Sequence, residues 1–246
     1  MHITSSRAPR ALGQPADLDL DFTSSDRPSL VTALLTQTGA ADAAYWWTQA
    51  VGRRTQALLD VLAATERRET LGLTAVCAAT GCAQTFEFEL PLHGLPQAKT
   101  DDDDTIAVTL GPQRRVRLRL PRGDDLRRWR AARPATRVDA VRTMCASLLV
   151  EGEVDERDEG AIAAAIAAHD PLVDFTVTCT CPACDAPAEV AVDLEGLALR
   201  RLARAQRELL REVHVLAAHY GWREADVLAV PAARRAQYRA LIEEHA

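Results

Sequence analysis

Two short cysteine clusters, about 100 residues apart, constrain the fold of this chain more than any other feature. "CTCPACD" at residues 179–185 contains a Cys-X-X-Cys pair, and "CAATGC" at residues 77–82 contains a pair separated by four residues. Cysteine pairs on tight turns aim both sulfurs at one point, and two such pairs supply the four ligands of a structural Zn²⁺. The predicted ligands of one structural Zn²⁺ per chain are Cys77, Cys82, Cys181 and Cys184.

Each cysteine cluster lies between two segments that alternate apolar and polar residues, as strands of a β-hairpin do. The segments are "LGLTAVCAATGCAQTFEFELPL" and "DFTVTCTCPACDAPAEVAVDL". An offset of 102 aligns Thr74 with Thr176, Cys77 with Cys179 and Cys82 with Cys184, which indicates a weak internal duplication. Two related hairpins with thiols at their tips would complete a four-thiolate site.

Two alternatives to a metal site stay open for the cysteines at this point, as does the role of Cys179. A Cys-X-X-Cys pair also occurs in thiol oxidoreductases, but there the first thiol lies at a helix N-terminus, whereas "DAPAEVAV" after Cys184 predicts a strand. The cysteines could instead be buried and inert, as we expect for Cys145 within a helical pattern. Cys179 is a spare ligand or an ordinary strand residue.

The remaining patterns predict an α+β fold. We expect a disordered tail over residues 1–27, helices broken near Gly39 in the first third, and a solvated loop at Asp101–Asp104. "RRVRLRLP" predicts an edge strand with arginines on one face. From Leu197 to Tyr220, apolar residues recur every three or four positions, which predicts a long amphipathic helix followed by short helices.

We expect residues 28–246 to form a single α+β domain, with two pseudo-repeated subdomains, 28–150 and 151–246, as the alternative. The chain has no apolar run of the roughly 18 residues that a membrane span needs. The beginning of the chain lacks the apolar core of a signal peptide, so a bacterial cytoplasmic location is expected.

Composition and motifs favour a non-enzymatic protein. The net charge of −6 opposes binding to nucleic-acid phosphates. We find no sequence motif for a metalloprotease, a phosphate-binding loop or a nucleophile elbow, so neither catalysis nor a small-molecule substrate is expected.

The cysteine knuckle, the run "LLREVHVLAAHYGWREADVLAV" and the segment "RRAQYRALI" together resemble the T4-type baseplate hub assembly proteins, also called assembly chaperones. Members of that family occur with contractile phage tails and phage-derived contractile injection systems. The likeness extends more thinly to "VRLRLPRGDDL" and the first knuckle, and covers about 170 residues. Family knuckles often continue with a glycine and an aromatic residue, where this chain has Asp185 and Ala188.

The resemblance implies a non-enzymatic protein that binds hub or spike subunits during baseplate assembly and could stay in the assembled particle. It also implies a knuckle role for Cys181 and Cys184. The residues with an implied helical packing role are Leu209, Leu210, His214, Tyr220, Gly221, Trp222 and Tyr238.

A zinc-containing DNA-binding protein is the alternative function. The segment "YGWREADVLAVPAARRAQYRALI" has the rhythm of a helix-turn-helix motif. Its arginines are balanced by an equal number of carboxylates across residues 221–246, which argues against a basic recognition face.

Overall fold

The computed structural model describes residues 9–39, 41–96, 105–111 and 114–244, and it shows an α+β fold. The helices are α1 Arg27–Thr38, α2 Ala43–Thr48, α3 Val51–Glu66, α4 Gly123–Ala132, α5 Arg137–Leu148, α6 Glu159–His169, α7 Leu194–Tyr220, α8 Glu224–Ala229 and α9 Ala232–Glu244. The strands are β1 Thr70–Val76, β2 Thr85–Pro91, β3 Thr105–Thr109, β4 Arg115–Arg119, β5 Leu149–Glu151, β6 Thr176–Thr180 and β7 Pro187–Ala191. The loop predicted at Asp101–Asp104 lies outside the described residues.

The main core forms between the N-terminal helices and the long helix α7. Leu34 of α1, Leu58 of α3 and Leu202 of α7 are all fully buried there. Helix α1 begins after Asp26, whose carboxylate accepts a hydrogen bond from the Ser29 backbone N–H. This core draws residues from both of the predicted subdomains, 28–150 and 151–246.

The prediction of a disordered tail over residues 1–27 is wrong for residues 9–27. A 3₁₀ helix spans Pro15–Asp19, and the buried Asp17 carboxylate forms a salt bridge with Arg10 at 2.6 Å. The Gln206 side-chain amide donates hydrogen bonds to backbone carbonyls of this segment, including those of Asp17 and Leu20, both at 2.9 Å. Residues 1–8 lie outside the described residues.

A second, smaller core lies beneath a three-stranded antiparallel sheet with strand order β3-β4-β5. Strand β4 is central in this sheet, so the prediction that "RRVRLRLP" is an edge strand is wrong. The short strand β5 carries too little sequence pattern to be recognised, and it pairs with the edge of β4 opposite β3. Val116 and Leu118 of β4 pack with Ile162 of α6, as the alternating pattern predicts.

Helix α7 spans 27 residues and ends at Gly221, whose left-handed conformation at φ 68° stops the helix. The predicted run to Tyr220 and its stop at Gly221 are thereby confirmed. Tyr220, Trp222 and Tyr238 form an aromatic cluster that packs the chain after α7 against it.

Two residues to which the resemblance gave a packing role, Leu210 and His214, are exposed on α7. Across the described ranges, no helix is both long enough and apolar enough to cross a membrane.

Candidate metal centre

The two predicted cysteine hairpins are present as two-stranded antiparallel sheets, β1-β2 and β6-β7. In each hairpin, one further backbone hydrogen bond extends the ladder beyond the last paired residues of the two strands. The Cys77 N–H donates to the Gln84 carbonyl at 2.9 Å, and the Cys181 N–H donates to the Ala186 carbonyl at 3.0 Å. The first cysteine of each pair is therefore held rigidly at the end of a ladder, where the chain begins to turn.

The second cysteine of each pair is followed by a residue in the left-handed conformation. These residues are Ala83 at φ 49° and Asp185 at φ 55°. Left-handed residues reverse the chain direction within a tight turn, although non-glycine residues rarely adopt them. Asp185 takes this conformation at the position where knuckles of the resembled family often have glycine.

The sulfur atoms of four cysteines from the two hairpins meet in one cluster. Cys77 Sγ lies 3.7 Å from Cys184 Sγ, and Cys82 Sγ lies 3.9 Å from Cys181 Sγ. All four sulfurs lie within 4.8 Å of one another. Four sulfurs in a tetrahedron about 2.3 Å from a central Zn²⁺ would be about 3.8 Å apart. The cluster is thus a possible metal site whose spacing fits an ion with four thiolate ligands.

The strand pairing of the two hairpins aligns them differently from the constant offset of 102 that their sequences suggest. Cys77 and Cys181 occupy equivalent positions, each one residue beyond the last strand pair, and Cys82 is equivalent to Cys184. The ungapped alignment placed Cys77 on Cys179, which is wrong because the first turn is two residues longer than the second. Cys179 is instead equivalent to Ala75.

Cys179 lies outside the cluster of four sulfurs. It pairs across the sheet with Ala188, and its thiol contacts the Ala188 carbonyl at 3.6 Å. Its side chain packs with Ala75 and Phe86 in a small apolar core between the hairpins. Of the two possibilities that the sequence left open, the structure places Cys179 as a strand residue.

Burial differs among the four clustered cysteines. Cys77 and Cys181 are buried, Cys82 is half-buried and Cys184 is exposed. Phe86 of β2 and Ala188 of β7 are buried beside them and close the inner side of the cluster. The cluster therefore has one apolar wall and one side that opens to solvent at Cys184.

The four thiols influence one another's ionisation. A backbone hydrogen bond with Ala183, together with contacts from neighbouring thiols, lowers the pKa of Cys181 to about 7 although burial opposes this. A backbone hydrogen bond with Ala186 would by itself lower the pKa of Cys184. The interactions of Cys184 with the thiols of Cys82 and Cys77 act in the opposite direction and prevail, so the pKa is raised to about 12.

The pKa of Cys77 is raised above its ordinary value. A backbone hydrogen bond at Ala79 lowers this pKa, but burial and the thiols of Cys181 and Cys82 raise it by more. One thiolate is therefore easily formed, while further thiolates repel one another without a cation between them.

Sequence reasoning missed the backbone groups that support the sulfurs. Ala79, Ala183 and Ala186 each make a backbone hydrogen bond to the cysteine two residues before them. Alanine has no distinctive sequence signal, and only the turn conformation brings these groups to the sulfurs. Cys145, predicted as a small core residue, is half-buried against the second core, where burial raises its thiol pKa.

The fold and the sulfur cluster define an α+β protein with a candidate four-cysteine metal site. None of the protein-family models, curated proteins or solved structures compared with this chain matches it significantly. The resemblance to baseplate hub assembly proteins therefore rests on the sequence motifs quoted above.

Proposed function

We propose that the four clustered cysteines bind one structural Zn²⁺. The sulfur spacing supports this proposal, because the separations of 3.7 and 3.9 Å between hairpins are close to those of a tetrahedral zinc site. Catalytic zinc sites use three protein ligands and keep one position for water or substrate, whereas structural sites use four. Four thiolate ligands therefore favour a structural role over a catalytic one.

The proposed ion would connect two parts of the chain that the core brings together. The first hairpin follows α3 and the second precedes α7, and these two helices contact each other directly. A Zn²⁺ between the hairpins supplies four strong, directional bonds that resist their separation. Its role in this chain is to hold α7 in a fixed orientation relative to the N-terminal helices.

We further propose that this rigid unit is a non-enzymatic assembly protein for the baseplate hub of a contractile tail or injection system. The sequence resemblance carries this proposal, and the surface of α7 and α9 is compatible with it. Leu210, Val215 and Leu241 are large apolar side chains exposed on those helices. Leu210 and Val215 line one hollow, and neighbouring exposed apolar side chains are typical of surfaces that bind other proteins.

Co-expression tests the assembly role. The tagged chain is produced with the hub and spike subunits encoded in the same gene cluster, and the subunits that co-purify are identified by mass spectrometry. We expect hub or spike subunits to co-purify with the zinc-loaded protein, and a sheath subunit from the same cluster serves as the control. Failure of every hub and spike subunit to co-purify, or a gene neighbourhood without tail genes, would contradict the assembly role.

The alternative of a DNA-binding protein places the recognition helix in α9. Arg235 at the start of α9 is buried and forms a salt bridge with Glu212 at 2.8 Å, so its charge is used within the protein. Arg239 lies 3.5 Å from Glu243 on the same helix. These pairings weaken the case for a basic recognition face, and we favour the assembly role.

A further inference from the structure

Four arginines form a straight row along the exposed face of α7, and we call them the arginine row: Arg200, Arg204, Arg207 and Arg211. Their spacing of four, three and four residues places them within a narrow arc of the helix, and the row extends about 16 Å at 1.5 Å per residue. All four side chains are exposed. The row is notable in a chain whose net charge is −6.

Most of the arginine row lacks a partner within the described part of the chain. Arg204 forms a salt bridge with Glu208 at 2.8 Å, but no described residue forms a hydrogen bond or salt bridge with the guanidinium groups of Arg200, Arg207 and Arg211. Arg200 attracts the Asp193 carboxylate electrostatically without a salt bridge. Elsewhere arginines such as Arg119 are neutralised by buried carboxylates. The row thus concentrates positive charge that the fold itself does not use.

Hollows flank the arginine row on both sides, and Arg200 and Arg207 line both of them. One hollow of about 490 Å³ lies toward α1 and has apolar walls that include Phe22, Leu30 and Leu199. The other, of about 720 Å³, lies toward the end of α3 and is more polar, with Arg68 at its edge. A third hollow lies at Arg211, the last arginine of the row. Leu210 and Val215 also line it, and its surface is almost entirely apolar.

We infer that the arginine row and its flanking hollows bind an acidic amphipathic helix of a protein partner. A helix with carboxylates spaced by four, three and four residues would match the arginines one to one, and guanidinium groups bind carboxylates in a bidentate manner. Apolar side chains beside those carboxylates would enter the hollow formed by Phe22, Leu30 and Leu199. This inference names the partner chemistry of the proposed assembly role and rests on it.

The surroundings of the row favour an acidic protein over a nucleic acid. A phosphate backbone would use the arginines but would leave the apolar walls of the first and third hollows unused. A protein helix carries both the carboxylates and the apolar side chains that this surface fits.

Binding to a designed peptide tests the inference independently of any baseplate subunit. The probe is a fluorescent helical peptide with glutamates at i, i+4, i+7 and i+11 and leucines beside them, and the control peptide has glutamine at those four positions. Fluorescence anisotropy is measured with the zinc-loaded full chain. We expect the glutamate peptide to bind at least about tenfold more tightly than the glutamine peptide, and added salt to weaken it.

Two triple variants of the protein reverse the same number of charges, one within the arginine row and one outside it. The test variant combines Arg200→Glu, Arg207→Glu and Arg211→Glu, and it should weaken peptide binding at least about tenfold. The control variant combines Arg53→Glu, Arg223→Glu and Arg234→Glu at exposed arginines away from the row, and it should change binding by less than about twofold. If the charge reversals disturb folding, the same comparison is made with glutamine substitutions.

Three results would overturn the inference. The first is equal binding of the glutamate and glutamine peptides. The second is tighter binding of duplex DNA or RNA than of the glutamate peptide, which would assign the row to nucleic acid. The third is a concentration-dependent dimer that the test variant abolishes, which would assign the row to a second copy of the chain. If the glutamate peptide binds but no hub or spike subunit co-purifies, the arginine row is supported as a binding site for acidic helices and the baseplate role is contradicted.

Discussion

The sulfur atoms of Cys77 and Cys184 lie 3.7 Å apart although 107 residues separate them in the chain. The reciprocal contact, between Cys82 and Cys181, closes the cluster at 3.9 Å. Each hairpin therefore contributes one buried and one less buried thiol, and each close contact joins the two hairpins.

The first prediction concerns coupling between the two hairpins. Because ligands of one ion act as a unit, Cys77→Ser and Cys184→Ser should each remove most of the bound zinc, and each should destabilise the fold nearly as much as the double variant. Zinc content is measured by mass spectrometry and the free energy of unfolding by urea titration. Wild-type protein purified without chelator should contain about one zinc per chain. Additive losses would indicate two separate centres.

The second prediction separates Cys179 from the ligands. Cys179→Ala should keep the full zinc content and change the free energy of unfolding by less than about 1.5 kcal/mol, because the equivalent position of the first hairpin is already alanine, Ala75. Cys181→Ala is the matched comparison and should lose the metal. Loss of zinc from the Cys179 variant would show that this cysteine is a ligand.

The third prediction concerns Gln206, which holds the N-terminal segment onto α7. Gln206→Leu would leave the carbonyls of Asp17, Leu18 and Leu20 without their donor, at a cost of about 1 to 3 kcal/mol. Hydrogen exchange measured by mass spectrometry should accelerate in residues 9–22 before it changes elsewhere. Glu208→Ala, two residues along the same helix, should leave that exchange unchanged. Unaltered exchange in the Gln206 variant would contradict the role we assign to it.

The fourth prediction concerns the pH dependence of stability at Asp125. Burial alone would raise the pKa of this carboxyl, but hydrogen bonds from the Arg119 guanidinium and the Arg122 backbone N–H, with the charges of Arg119 and Arg128, hold it below its ordinary value. The Asp125 carboxyl therefore binds a proton more tightly in the unfolded chain than in the folded protein. The contribution of Asp125 to stability is present above the ordinary carboxyl pKa and is lost as pH falls through the folded pKa.

Asp125→Asn should accordingly cost about 2 to 4 kcal/mol near neutral pH and flatten the stability curve in the acid range. Urea unfolding at a series of pH values measures both effects. Asp124→Asn is the control, because Asp124 is on the same helix but its salt bridge with Arg127 is exposed. An acid-range curve that keeps its wild-type slope in the Asp125 variant would contradict this account.

The elements that the sequence predicted correctly are those with a local periodic signal. Helix α7 shows an apolar residue every three or four positions, and the strands of both hairpins alternate. Gly221 marks a stop that depends on its own backbone freedom. The errors arise where no local signal exists. Residues 9–27 lack periodicity, and they are ordered because α7 supplies partners such as Gln206. Strand β4 became central because a three-residue strand pairs with it.

By itself, the sequence determined that two thiol-bearing turns exist and that four particular cysteines could complete one site, because turn chemistry and the spacing within each pair are local properties. Only the tertiary structure decided that the pairs meet, that Cys77 corresponds to Cys181, and that Cys179 faces the apolar core between the hairpins. The physical reason is that the packing of α3 against α7 sets the distance between the hairpins, and that packing sums many weak contacts spread over the chain.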